Sequence, residues 1–165
     1  MAWTVRFYRD LEARVEPARI WLDGLKGHDE PKRLAAIAAI ERVLKPQGVD
    51  VCESEWGKNL GAGLYEFRIR HPAQTIRNMF PLPPDAAGQT DVRKEPVKIL
   101  LRIFFTTYGR EVILLLGGYD KAKSPSQRQQ QNAIAVARAM VEKAQAGLRA
   151  RLREETAARG RKKRG

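Results

Sequence analysis

The sequence predicts an α+β fold: a small antiparallel sheet packed by an N-terminal helical hairpin and a C-terminal helix. Three patterns lead there. Residues 3–9, 63–70, 97–105 and 111–119 alternate or run apolar in the manner of strands. Residues 16–45 hold two stretches of helical period divided by "GLKGHDEP". From Ile134 onward an apolar residue recurs every three or four positions as far as Leu152.

Taken in order, "WTVRFYR" (3–9) places Trp3, Val5 and Phe7 on one side of a first strand. Pro17 suits a first helical turn, and Ile20, Trp21 and Leu25 follow at helix spacing. Asp29 is placed to cap a second helix, with Glu30 in its first turn and Leu34, Ile37, Ile40 and Leu44 as its apolar stripe. "DVCESEW" (50–56) reads as a short strand and "GLYEFRIR" as a longer one. Residues 72–96 hold prolines 72, 81, 83 and 84 and no sustained period, which predicts a loop insertion. "VKILLRIFF" (97–105) and "EVILLLGGY" (111–119) are strands about the turn "TTYGR", the second apolar enough to be buried on both faces. Ser124, Pro125 and Gln127 form an S-x-x-Q capping box for the last helix, with Ile134, Ala137, Val141, Ala144, Leu148 and Leu152 as its stripe.

The chain's 165 residues suit one domain with an added tail. No apolar run approaches the roughly 20 residues of a membrane helix. The first ten residues lack an apolar signal region, so a cytoplasmic location and no membrane partner are expected. One cysteine, Cys52, excludes an internal disulfide and a cysteine-based zinc site, and neither a metal centre nor a cofactor is read. The net charge of +12 is unevenly spread. Residues 1–120 hold 18 Lys+Arg against 16 Asp+Glu, a balance of +2; residues 121–165 hold 13 against 3, a balance of +10. A cationic segment on a near-neutral body points to a polyanionic partner. A solubilising tail is the plainer account of the final "RGRKKRG".

Within "GLYEFRIR", alternation sets Tyr65, Phe67 and Ile69 on one face and Leu64, Glu66, Arg68 and Arg70 on the other. If 97–105 pairs with it antiparallel, Arg102 joins Glu66, Arg68 and Arg70 on a face the helices leave open. Lys58, Lys98, Lys121 and Lys123 fall near its rims, and Tyr108 and Tyr119 are stackable aromatics. Such a surface fits two readings. One is a cross-strand ladder of ion pairs, each exposed pair contributing at most about 1 kcal/mol. The other is a phosphodiester site, where guanidinium forks bind phosphate oxygens and aromatics stack on unpaired bases. Cleavage of RNA there needs a base for the attacking 2′-hydroxyl, cations for the transition state and an acid for the leaving 5′-oxygen. By analogy with oxyanion donors, a fixed cation contributes roughly 3 to 4 kcal/mol. Glu66 is a candidate base or an orienter of Arg68.

"KNLGAGLYEFRIR" and "RIFFTTYGREVILLLGGYDKAKSPSQRQQQNAIAVARAMVEK" together resemble the RelE/HigB-type toxins of bacterial type II toxin–antitoxin systems, in particular their phage-derived branch. The match covers 58–70 and 98–143; the N-terminal strand and hairpin agree in order more than in sequence. The resemblance implies a RelE-like toxin domain over 1–145, with 146–165 a basic helical extension and tail. It further implies a ribosome-dependent mRNA interferase, an endoribonuclease whose partners are mRNA, the ribosome and a cognate antitoxin. Carried over by position, Arg68 and Arg102 contact phosphate and transition state, Lys58 and Lys121 are auxiliary cations, and Glu66 follows the strand motif. Arg70, Lys98, Tyr119 and Lys123 complete the expected RNA-binding surface.

The insertion at 72–96, the extra tail and the lack of an alignable histidine depart from the family pattern. His28 and His71 read as ordinary exposed histidines, leaving Tyr108 or Lys121 as the candidate acid. Two alternatives stay open: a non-catalytic nucleic-acid- or protein-binding module on the same scaffold, and a gyrase-inhibiting ParE-type toxin, since fold does not fix function.

Overall fold

Five strands form one sheet in the order β1-β5-β4-β3-β2. They are β1 (Thr4–Phe7), β2 (Gly57–Gly61), β3 (Leu64–Ile69), β4 (Leu101–Tyr108) and β5 (Val112–Asp120). The structure, a computed structural model, describes residues 2–81 and 98–163. β2 to β5 are antiparallel neighbours, while β1 lies parallel to β5 at the sheet edge, with Thr4 opposite Val112 and Phe7 opposite Leu115.

The first face of the sheet is covered by helices α1 (Pro17–Gly24) and α2 (Glu30–Ala39). The helical path of α2 continues through a π turn (Ile40–Leu44) into the short α3 (Lys45–Gln47). Phe67, Ile69, Leu101, Ile103 and Phe105 point to this side and pack with Ala35, Ala36, Ala39, Val43 and Leu44 as the main core. Ile40 and Leu44 of the expected stripe are buried in this core and Leu34 packs against it, with alanines added to the same side. Leu34 and Ile37 are half-buried, and the alanines, small enough for close approach to the strands, face the sheet. At Gly118 in β5 a Cβ would lie 2.6 Å from the Trp21 ring of α1.

The second face carries a smaller core, in which Leu64, Phe104, Leu116 and Tyr8 meet Ala137 and Val141 of the C-terminal helix α5 (Gln127–Lys163). The expectation that helices leave this face open is thus corrected, because α5 lies across its Leu64–Phe104 end. β5 is covered on both sides as expected, with Ile113 and Leu115 in one core and Leu116 in the other. From Arg149 to Lys163 every residue of α5 is exposed.

Four local expectations change. Residues 50–56 are not a strand; Gly48–Glu53 form a 3₁₀ turn following Gly48, whose φ of +58° ends the helix before it. Part of the expected loop at 72–96 is the helix α4 (Ala73–Met79), too short to show a sustained period. Its C-terminal carbonyls at Arg77 and Phe80 accept hydrogen bonds from Arg42 Nη1 at 3.1 and 3.0 Å. The remainder of that segment, from 82, and Val97 lie outside the described residues, and β4 begins at Leu101 instead of 97. Finally, Ser126 caps α5: its hydroxyl accepts from the Gln129 amide at 3.1 Å and donates to the Gln129 side chain at 2.9 Å. Ser124 is held in the preceding turn, its amide donating to the Asp120 carbonyl at 2.9 Å.

Candidate anion-binding site on the second face of the sheet

Antiparallel register builds the site from four strands. Lys58 of β2 lies opposite Glu66 of β3, Arg68 opposite Arg102 of β4, and Arg102 opposite Tyr119 of β5. Directly paired residues share a face, so these side chains stand on the side that α5 only partly covers. Arg70 follows the end of β3 and Lys121 the end of β5, whose amide donates to the Leu100 carbonyl at 2.8 Å.

The depth of the charges distinguishes them. Glu66 is fully buried and Arg102 is 2% exposed, whereas the Arg68 side chain keeps 23% of its surface in solvent. Arg68 Nε donates to Glu66 Oε1 at 2.8 Å, and Arg102 Nε stands 3.7 Å from the same oxygen. One carboxylate thus serves two guanidiniums. Arg102 Nη1 also donates to the Leu101 carbonyl at 3.3 Å. Among the described residues, three buried polar atoms of this cluster find no hydrogen-bond partner: Glu66 Oε2, Arg102 Nε and the Tyr119 hydroxyl. Buried polar atoms left in this state are uncommon in folded proteins.

Burial lowers the Arg102 pKa; the neighbouring Arg68 and Arg70 charges push the same way, while Glu66 opposes them. The Tyr119 phenol is raised, first by burial and then by the Glu66 charge, with Arg102 and Arg68 acting against the shift. The Tyr119 ring stacks on Phe104 at 5.9 Å between centroids, which fixes its orientation along the sheet.

Lys58 and Arg70 are exposed and Lys121 is half-buried, so with Arg68 they form an accessible cationic rim above the buried pair. Other expected members fall elsewhere. Tyr108 ends β4 opposite Val112, six residues from Arg102, roughly 20 Å away along the strand. It lines a separate cavity of about 900 Å³ between β1 and α5, with Phe7, Leu114 and Leu148. Tyr108 is therefore removed from the site, because a strand carries its two ends too far apart to share one phosphate. Lys98 is exposed in the segment before β4. Lys123 pairs with Asp29 at 2.5 Å, which turns it toward the helical hairpin. That contact also replaces the expected Asp29 side-chain cap, although the Asp29 carbonyl accepts from the Lys32 and Arg33 amides.

One supporting pair was not anticipated. Lys32 Nζ donates to Asp120 Oδ2, both side chains being buried, and Asp120 Oδ1 accepts from the Ala122 amide at 3.0 Å. The pair fixes the turn that carries Lys121. Its signal was Lys32 standing three and four residues ahead of Ala35 and Ala36, on the buried side of α2.

His71 bonds Glu55 at 3.1 Å and packs at a 43° tilt against Trp56. Among the described residues no group of three or more His, Cys, Asp or Glu side chains is placed to hold a metal ion. Among the same residues no helix is long and apolar enough to cross a membrane. No family model, no curated protein and no solved structure matches the chain.

Proposed function

We propose that this surface binds the phosphodiester backbone of RNA and cleaves it, and that the chain is the toxin of a type II toxin–antitoxin pair, as its resemblance to RelE/HigB-type sequences suggests. The observation that supports this most is the Arg68–Glu66–Arg102 arrangement. A buried carboxylate grips one accessible guanidinium, while a second guanidinium beneath it keeps the local charge positive. Such a cation is set in place before substrate arrives, so little reorganisation is needed as charge develops on phosphorus.

In the reaction the RNA 2′-oxygen attacks the adjacent phosphorus, the bond from phosphorus to the 5′-oxygen breaks, the 2′-hydroxyl proton passes to solvent water, and the leaving 5′-oxygen takes up a proton. Arg68 touches the non-bridging oxygens, with Arg70, Lys58 and Lys121 holding the flanking phosphates. Arg102 and Glu66 act from below as positioning residues, their burial keeping them from direct contact with substrate. Of the two candidate proton donors, Lys121 is the one beside the patch. The translating ribosome and a cognate antitoxin are the partners this function entails.

Induced expression followed by mapping of mRNA 5′ ends tests it. Cleavage within translated codons is expected, falling about 10²- to 10³-fold in Arg68→Ala, with growth arrest relieved. Intact transcripts with a DNA-damage response would move the chain to the gyrase-directed class. Absence of growth arrest would leave a binding module.

A further inference from the structure

Residues 149–163 form the outer fifteen residues of α5, an exposed stretch about 22 Å long whose Ala150, Arg151 and Glu154 still line the cavity beside β1. They hold Arg149, Arg151, Arg153, Arg159, Arg161 and two lysines against two glutamates. Among the described residues no ion pair involves any of these cations; the ion pairs of α5 stop at Lys143 with Asp10. At 100° per residue the cations are spread around the whole helix, not gathered on one side.

The composition narrows the partner. The arm contains no aromatic residue, so it has nothing on which unpaired bases could stack. Leu152, at 53% exposure, is its one large apolar side chain, too little for the apolar face that seats a helix in a lipid surface. Five of its seven cations are arginines, whose forks match phosphate oxygens. Charge on all sides of the helix suits a nucleic-acid duplex, whose two strands present phosphates over a broad surface.

We propose that residues 149–163 form a second nucleic-acid site, one that grips the phosphate backbone of double-stranded RNA independently of sequence and apart from the cleavage surface. The choice of RNA over DNA rests on the proposed RNA-cleaving function, since attack by a 2′-hydroxyl confines the whole substrate to RNA. The arm then anchors the protein on a paired region while the sheet engages an unpaired strand.

Binding of an RNA duplex of about 20 base pairs, followed by anisotropy across a salt series, tests this with the full chain carrying Arg68→Ala. Affinity is expected to fall roughly 10³-fold between about 50 and 200 mM salt, as for some six phosphate contacts. With Arg149, Arg151, Arg153, Arg159 and Arg161 all changed to Gln, the loss over that range shrinks to about tenfold, because of the seven cations of 149–163 two, Lys162 and Lys163, remain. Circular dichroism of the quintuple variant checks that the body is still folded. Unchanged duplex binding in that variant overturns the proposal, as does tighter binding to duplex DNA, to an unstructured single strand or to anionic vesicles. Cleavage, measured separately with Arg68 intact, distinguishes the two sites: loss of duplex binding with cleavage retained sustains the arm alone, and duplex binding without any cleavage removes the basis for preferring RNA.

Discussion

Replacing Glu66 with Gln removes one negative charge at nearly constant shape and leaves Arg102 buried without its counter-charge. At 3.7 Å, an effective dielectric of about 20 gives an attraction of roughly 4 to 5 kcal/mol between the two groups. Breaking a buried pair from one side typically costs about 3 to 5 kcal/mol. The lower end applies here, since the Leu101 carbonyl still holds Arg102 and the partly exposed Arg68 regains water. A loss of about 3 kcal/mol is therefore expected, read as a drop of roughly 9 °C in Tm for a chain of this size or as a lower urea midpoint at unchanged slope. The double variant Glu66→Leu with Arg102→Met removes both charges and should recover most of the loss. If Glu66→Gln costs under about 1 kcal/mol, the carboxylate does not hold the buried guanidinium and the account of a preorganised site fails.

Two further outcomes follow from the same geometry. Gly118→Ala drives a methyl group into the Trp21 ring and should cost about 1 to 3 kcal/mol, measurable by urea unfolding, with the main core loosened and the second face untouched. Tyr119 has a raised pKa in the folded chain, so its contribution to stability is fully present below about pH 10, the unfolded value, and is lost as pH rises through the folded one. Tyr119→Phe should flatten that alkaline decline in a pH series of unfolding midpoints.

Much of the sheet was legible because alternation is a local property. Phe67, Ile69, Ile103 and Phe105 follow from it directly, and so does the placement of Arg68 and Arg102 on a common side. What alternation omits is the object that covers each side. Glu66 and Arg102 read as surface charges because the depth at which α5 crosses the second face depends on tertiary packing, not on residues 61–70. The α5 cap shows a different limit. S-x-x-Q occurs at Ser124 and again at Ser126, and only the Asp120 turn, which engages the Ser124 amide, decides between them. Distance explains the failure at Tyr108, since a residue can be near Arg102 in sequence and still stand at the other end of a straight strand.

The parallel pairing of β1 with β5 has a consequence for synthesis. Thr4 waits for Val112, so the first strand emerges from the ribosome about a hundred residues before β5, its neighbour in the sheet. Contacts so remote in sequence close late and slow folding. Tyr119 and Lys121, both beyond that point, belong to the same late stage. Until β5 emerges, a nascent chain therefore exposes the apolar side of its helical hairpin and lacks a complete cationic surface. The order of the strands thus postpones completion of the cationic surface until β5 has been made.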